Sequence, residues 1–142
     1  MKIAIAQADK PNLVGNIYTR ESIEKMKSCI DEAMKSGFCG GEIMHEDYQY
    51  QVKNSLDLSR VTHQIKGVEI TDDFLVVSVE FMNTSEGKSA RFIVESAMGI
   101  IRPTIAGNLD PVTKEVKIEK VMSIDIVQYH EDFLNVSWKK IK

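Results

Sequence analysis

Ile23, Met26, Ile30, Ala33 and Met34 recur at helical spacing between Thr19, whose hydroxyl can cap a helix, and Gly37, which can stop one. A helix striped in this way has to lay its apolar side on something. Strands are the available cover. Across residues 74–82, Leu75, Val77, Val79 and Phe81 share one face while Val76, Ser78 and Glu80 share the other, a period of two. Further strands are expected over 2–6, 61–69, 115–119 and 122–128; in the last, Met122, Ile124 and Ile126 alternate with Ser123, Asp125 and Val127. Lys10-Pro11-Asn12 ends the first strand, and residues 83–87 read as a turn. A second helix is expected over 88–98, burying Ala90, Ile93 and Ala97 and stopped by Gly99. Gly107-Asn108 and Asp110-Pro111 mark a loop before the final strands. The pattern is that of one α+β domain over residues 1–142.

A chain of 142 residues suits a single core, burying roughly two thirds of the surface its unfolded form exposes. With 18 basic and 21 acidic residues the formal charge is -3, so no specific nucleic-acid partner is expected. Cys29 and Cys39 have only His45 nearby, which is too few ligands for a tetrahedral zinc site. They read as reduced thiols of a cytosolic product. The histidines are dispersed and carry no ligand spacing, so neither a metal nor another cofactor is expected. No apolar run approaches the roughly 18 residues that a spanning helix needs, and residues 1–6 are too short for a signal peptide, so no membrane role is expected.

Chemistry concentrates in two runs. One is Gly40-Gly41-Glu42-Ile43-Met44-His45 and the other is Ile101-Arg102-Pro103-Thr104-Ile105-Ala106-Gly107. Gly41-Glu42 with His45 resembles the Gly-Glu-x-x-His run of the prohead proteases of tailed phages, whose fold is related to that of the herpesvirus assemblins. The likeness extends from about Asn16 to about Val127. Asn16-Ile17-Tyr18-Thr19 resembles the family's lead-in to its first helix, Val61-Thr62-His63-Gln64-Ile65 its following strand, and Gly87-Lys88 the segment leading to the nucleophile. The second run is similar to the family's Gly-hydrophobic-Ser-Ser-Arg-Gly run. Thr104 then falls where the nucleophilic serine would be, Ile105 replaces the second serine and Ala106 the arginine. The resemblance implies a prohead-protease-like fold: a mainly antiparallel sheet or partly open barrel with two principal helices.

Serine-type peptidolysis needs a hydroxyl beside a histidine base, a group that orients the imidazole, and donors for the oxyanion. The candidates are His45 as base, Thr104 as nucleophile and His63 as orienting group. Each has a plainer role. Thr104 carries an extra methyl on the attacking carbon, which restricts its rotamers, and Pro103 removes a backbone donor just before it. It reads sooner as a turn or loop hydroxyl bonded to nearby backbone. His45 reads sooner as a side chain that hydrogen-bonds a loop or meets a partner, and His63 sooner as a satisfied sheet histidine. Asp110, before Pro111, fits a turn as well as an acid. Glu42 reads as a loop charge sooner than a cleft acid, and His130 beside Glu131 and Asp132 as a surface cluster.

Three functions follow from the resemblance. The first is a non-catalytic auxiliary protein of the phage head, made in the host cytoplasm and carried in the virion, binding the major capsid protein or a scaffold protein and able to self-associate. The second is an active maturation protease that cuts scaffold and capsid precursors with Thr104 in place of serine. The third is a regulator or inhibitor that keeps the substrate surface without turnover. Phe133, Val136, Trp138 and Ile141 amid charge near the end of the chain suit an arm on a neighbour, or packing on the chain's own domain.

Overall fold

In the computed structural model the described residues are 1–12, 15–43, 60–96, 98–128 and 140–141. In chain order the elements are β1 (Lys2–Gln7), β2 (Ile17–Tyr18), α1 (Arg20–Ser36), β3 (Gly40–Gly41), β4 (His63–Thr71), β5 (Phe74–Phe81), α2 (Ser85–Glu95), β6 (Gly99–Leu109), β7 (Glu115–Gln128) and β8 (Lys140–Ile141). α1 has the ends its sequence predicts. The Thr19 hydroxyl accepts the Ser22 N–H at 3.1 Å, and Gly37 closes the helix at φ 151°, a conformation that favours glycine. Ile23, Met26 and Ile30 are fully buried, with Ala33 and Met34 packed at their margin. The Ser22 hydroxyl donates to the Val116 carbonyl, which ties the first turn of the helix to β7.

The strands form two sheets. One has the order β3-β4-β5-β1-β8 and the other β2-β7-β6, and among the described residues the strands of both pair antiparallel except β2 with β7. β3 couples them. Gly40 and Gly41 pair with Gln64 and His63 of β4, and two residues on Ile43 bridges Ile126 of β7, with the Ile126 N–H donating to the Glu42 carbonyl at 3.0 Å. Unpaired residues bend the ladders: Ile5 in β1, Lys66 in β4, and Met122 and Glu119 in β7 each fall between partners that pair past them. Such bulges increase twist, and the sheets curl into a half-barrel around α1. Ile5, Leu75, Val77, Ile101, Ile124 and Ile126 meet the helix in its core.

Three expectations are corrected. The separate strands over 115–119 and 122–128 are one strand, β7, which continues through bulges where a break was expected. The second helix begins earlier and ends earlier, at Ser85–Glu95, because the Thr84 hydroxyl accepts the Gly87 N–H at 3.0 Å and caps it inside what reads as a turn. Its buried residues are Gly87, Ala90 and Val94, with Ile93 partly covered; Ala97 lies outside the described residues. Finally, the run from Ile101 to Gly107 and on to Leu109 is strand β6 and not a loop. Pro103 fits because β6 is an edge strand, where a missing N–H breaks no ladder on the open side. Beyond residue 128, Lys140 and Ile141 pair with Ile3 and Lys2 of the chain's own β1, while Phe133, Val136 and Trp138 lie outside the described residues.

Candidate functional site

On β6 and β7, Arg102 lies opposite Asp125 and Thr104 opposite Ser123. Residues two apart in a strand share a face, so these four side chains form one polar patch, while Ile101 and Pro103 oppose Ile126 and Ile124 on the core side. Asp125 is the hub of the patch. Its Oδ2 accepts the Thr104 hydroxyl at 2.5 Å and the Ser123 hydroxyl at 2.6 Å, and its Oδ1 accepts the Glu42 N–H at 3.1 Å. Its exposure is 0%, whereas Thr104 is half-buried. A carboxylate in such a place is tolerated only when donors surround it, and charge-assisted bonds of this length are among the stronger ones.

The glycines of the first run have a physical reason here. A Cβ on Gly41 would lie 1.8 Å from the Ile124 carbonyl oxygen and 2.9 Å from Asp125 Oδ1. Only a bare backbone passes that close, and the approach delivers the Glu42 N–H to the carboxylate. Glu42 itself is buried at 3% exposure, so it is not the loop charge expected from the sequence.

His63 sits one residue along the same seam. Its Nε2 is 2.5 Å from the Ile124 carbonyl, which can only accept, so Nε2 carries the proton and Nδ1 accepts the Thr62 hydroxyl at 2.9 Å. The ring is fully buried and lies 6.2 Å from that of Phe81 at a tilt of 54°. It buttresses β7 beside Asp125. His45 and His130 lie outside the described residues.

Thr104 is a strand residue bonded to a side chain and not a loop hydroxyl bonded to backbone. Asp110 stands apart from it at the β6–β7 turn. Its carboxylate accepts the Val112 and Thr113 N–H groups at 2.8 and 3.1 Å, and the backbone bonds, that from Thr113 foremost, hold its pKa below the usual value. Burial pushes the Tyr18 phenol up, partly opposed by the Arg102 cation. Cys29 and Cys39 are free thiols, and burial pushes Cys39 up to about 11. Among the described residues, no three or more His, Cys, Asp or Glu side chains cluster as a metal site.

The residue that sequence reasoning missed is Asp125. A signal was present: aspartate is a poor strand former, yet it stands in mid-strand between two isoleucines with Ser123 on its own face.

The half-barrel, its coupled sheets and its two helices define a prohead-protease-like fold. Among solved structures the chain is similar to the capsid assembly protease of bacteriophage T4, with a TM-score of 0.73 and 15% identity over 89% of this chain and 79% of that one. At that identity the likeness is one of fold. No family model and no curated protein matches the sequence.

Proposed function

We propose that this chain is a non-catalytic protease-fold protein of a tailed-phage head that binds capsid or scaffold proteins. The observation that carries this reading is the Thr104 hydroxyl, which donates to a carboxylate with no exposure, itself held by Ser123 and Glu42. A nucleophile has to present its oxygen to a scissile carbonyl while a base takes its proton. Here the threonine proton is committed to a structural hub and its rotamer is restricted further by β-branching. The family resemblance, which sets Thr104 at the nucleophile position, and the fold shared with a capsid assembly protease support a place in head assembly. Self-association on a symmetric shell is consistent with that role.

The test is mass spectrometry of capsid and scaffold proteins from particles assembled with wild-type protein, Thr104→Ala or His45→Ala. Unchanged precursor processing, with the protein retained in purified heads, is the expected result. Processing lost in both variants, with each still folded and incorporated, would make Thr104 a working nucleophile and end the non-catalytic reading. Thr104→Ser supplies a folded comparison that keeps the hydroxyl.

A further inference from the structure

Among the described residues β6 pairs with β7 alone, so its far edge is open. The Asp110 N–H just past the strand donates to the Glu115 carbonyl at 2.9 Å. By alternation the even-numbered residues of β6 turn their backbone groups towards β7, and the odd-numbered ones, Pro103 among them, turn theirs outward. The strand is interior at its start, where Ile100 and Ile101 are buried, and emerges into solvent over residues 107–109. An edge of this kind pairs readily with another chain, and charged side chains are a common guard against it. Within β6 the one charged residue is Arg102.

The exposed apolar side chains mark the same strand. Among the described residues the large hydrophobics left in solvent are Phe92 at 63%, Met98 at 59%, Leu109 at 46% and Val112 at 88%. They stand as two pairs at opposite ends of β6: Phe92 and Met98 before its first residue, Leu109 and Val112 at its last residue and in the turn beyond. When two copies of a strand pair antiparallel, the start of one lies beside the end of the other, so each apolar pair approaches the opposite pair. Charge selects the register. With Ala106 on the twofold axis, Asp110 of the second copy falls opposite Arg102 and Asn108 of the second copy opposite Thr104. On the other face Leu109 of the second copy falls opposite Pro103. Polar side chains then meet on one face and apolar ones on the other, the pairing that stabilises a sheet. Moving the axis by one residue sets Arg102 against Asn108 or Val112 and loses the charge match. Ala106 is even-numbered, so on the axis it forms a non-hydrogen-bonded pair, where Cα atoms approach to about 4.5 Å. Its small side chain permits that approach.

We infer that two copies of this chain join by antiparallel pairing of their β6 edges about a twofold axis at Ala106, and that each copy sets its Asp110 beside Arg102 in the polar patch of the other. The same surface serves both copies, as a twofold interface requires. Main-chain hydrogen bonds along the edge hold the pair, and the apolar ends supply burial. The inference goes beyond the non-catalytic reading, which neither requires it nor falls with it.

The test combines sedimentation velocity of the full chain over a concentration series with cysteine cross-linking. A reversible dimer is expected for the wild type. Leu109→Glu, at an exposed position, is expected to weaken the dimer by about tenfold or more, the scale of one leucine leaving an apolar contact, while circular dichroism shows the fold unchanged. Glu80→Gln, on the other sheet, is expected to change nothing. Under mild oxidation Ala106→Cys is expected to give a disulfide-linked dimer, because facing side chains of a non-hydrogen-bonded pair lie within disulfide reach. Asn108→Cys, which faces Thr104 of the second copy and not its own counterpart, is not expected to cross-link, and neither is the wild-type chain with its Cys29 and Cys39. A wild-type monomer at roughly 0.1 mM overturns the inference, as does a dimer that Leu109→Glu leaves unaltered. So does cross-linking that is absent at residue 106 or equal at 106 and 108, since the copies would then meet through another face or register. None of these outcomes bears on precursor processing in the Thr104 experiment, so the two readings fall separately.

Discussion

A carboxylate without exposure persists in a protein interior through the donors around it, and Asp125 has a distinct set: two hydroxyls on one oxygen and a backbone N–H on the other. Removing the acceptor strands all of them. Asp125→Ala is expected to lose about 3 kcal/mol or more, given the cost of leaving buried donors unsatisfied, read by urea unfolding. Thr104→Val keeps shape but deletes one bond to a charged acceptor, and about 1.5–3 kcal/mol is expected. Thr104→Ser, which keeps the hydroxyl, is expected to stay within about 1 kcal/mol of wild type. A different pattern, with Val and Ser equally stable, would remove Thr104 from the network. Cys39 gives a pH test. Its folded pKa of about 11 lies above the ordinary 9.0, so between those values the unfolded chain releases a proton that the folded one keeps. Stability from this group is complete below pH 9 and declines towards pH 11, and Cys39→Ser is expected to flatten that part of the unfolding profile.

At the scale of elements, β3 is two residues long yet joins both sheets. Gly41→Ala places a methyl 1.8 Å from a backbone oxygen. The two nearest atoms, the Ile124 carbonyl oxygen and carbon, are backbone and cannot swing aside, so β3 has to move off β7, taking the Glu42 N–H from Asp125. The expected cost is at or above the usual overpacking range of about 1–3 kcal/mol, with loss of the protected Ile126 amide in hydrogen exchange. Thr84→Ala is a gentler change, removing the α2 cap for about 1 kcal/mol. Elements also mark where sequence patterns mislead. Thr84 caps a helix inside a run of Asn, Ser and Gly that has turn composition, and Pro103 hides an edge strand. In both cases a local propensity yields to a position in the fold that the local sequence does not state.

At the scale of the whole molecule, the surface ion pairs seen among the described residues contribute little. Lys2–Glu69, Lys27–Asp31 and Arg91–Glu95 are all substantially exposed. Raising salt from roughly 0.05 to 0.5 M is therefore expected to shift unfolding free energy by less than about 1 kcal/mol. What the sequence determined by itself is what neighbours along the chain can decide: the caps and apolar stripe of α1, the alternation of β5, the turn at Asp110, and an α+β domain whose motif order resembles that of prohead proteases. Those signals are local because hydrogen bonds to a cap and the period of a strand involve residues a few positions apart. Only the tertiary structure decided that Glu42 and Asp125 are interior, that Thr104 spends its proton on a carboxylate from another strand, and that His63 supports a carbonyl of β7. Those partners lie 21 to 83 residues apart in the chain, and β3 brings most of them together by crossing from one sheet to the other.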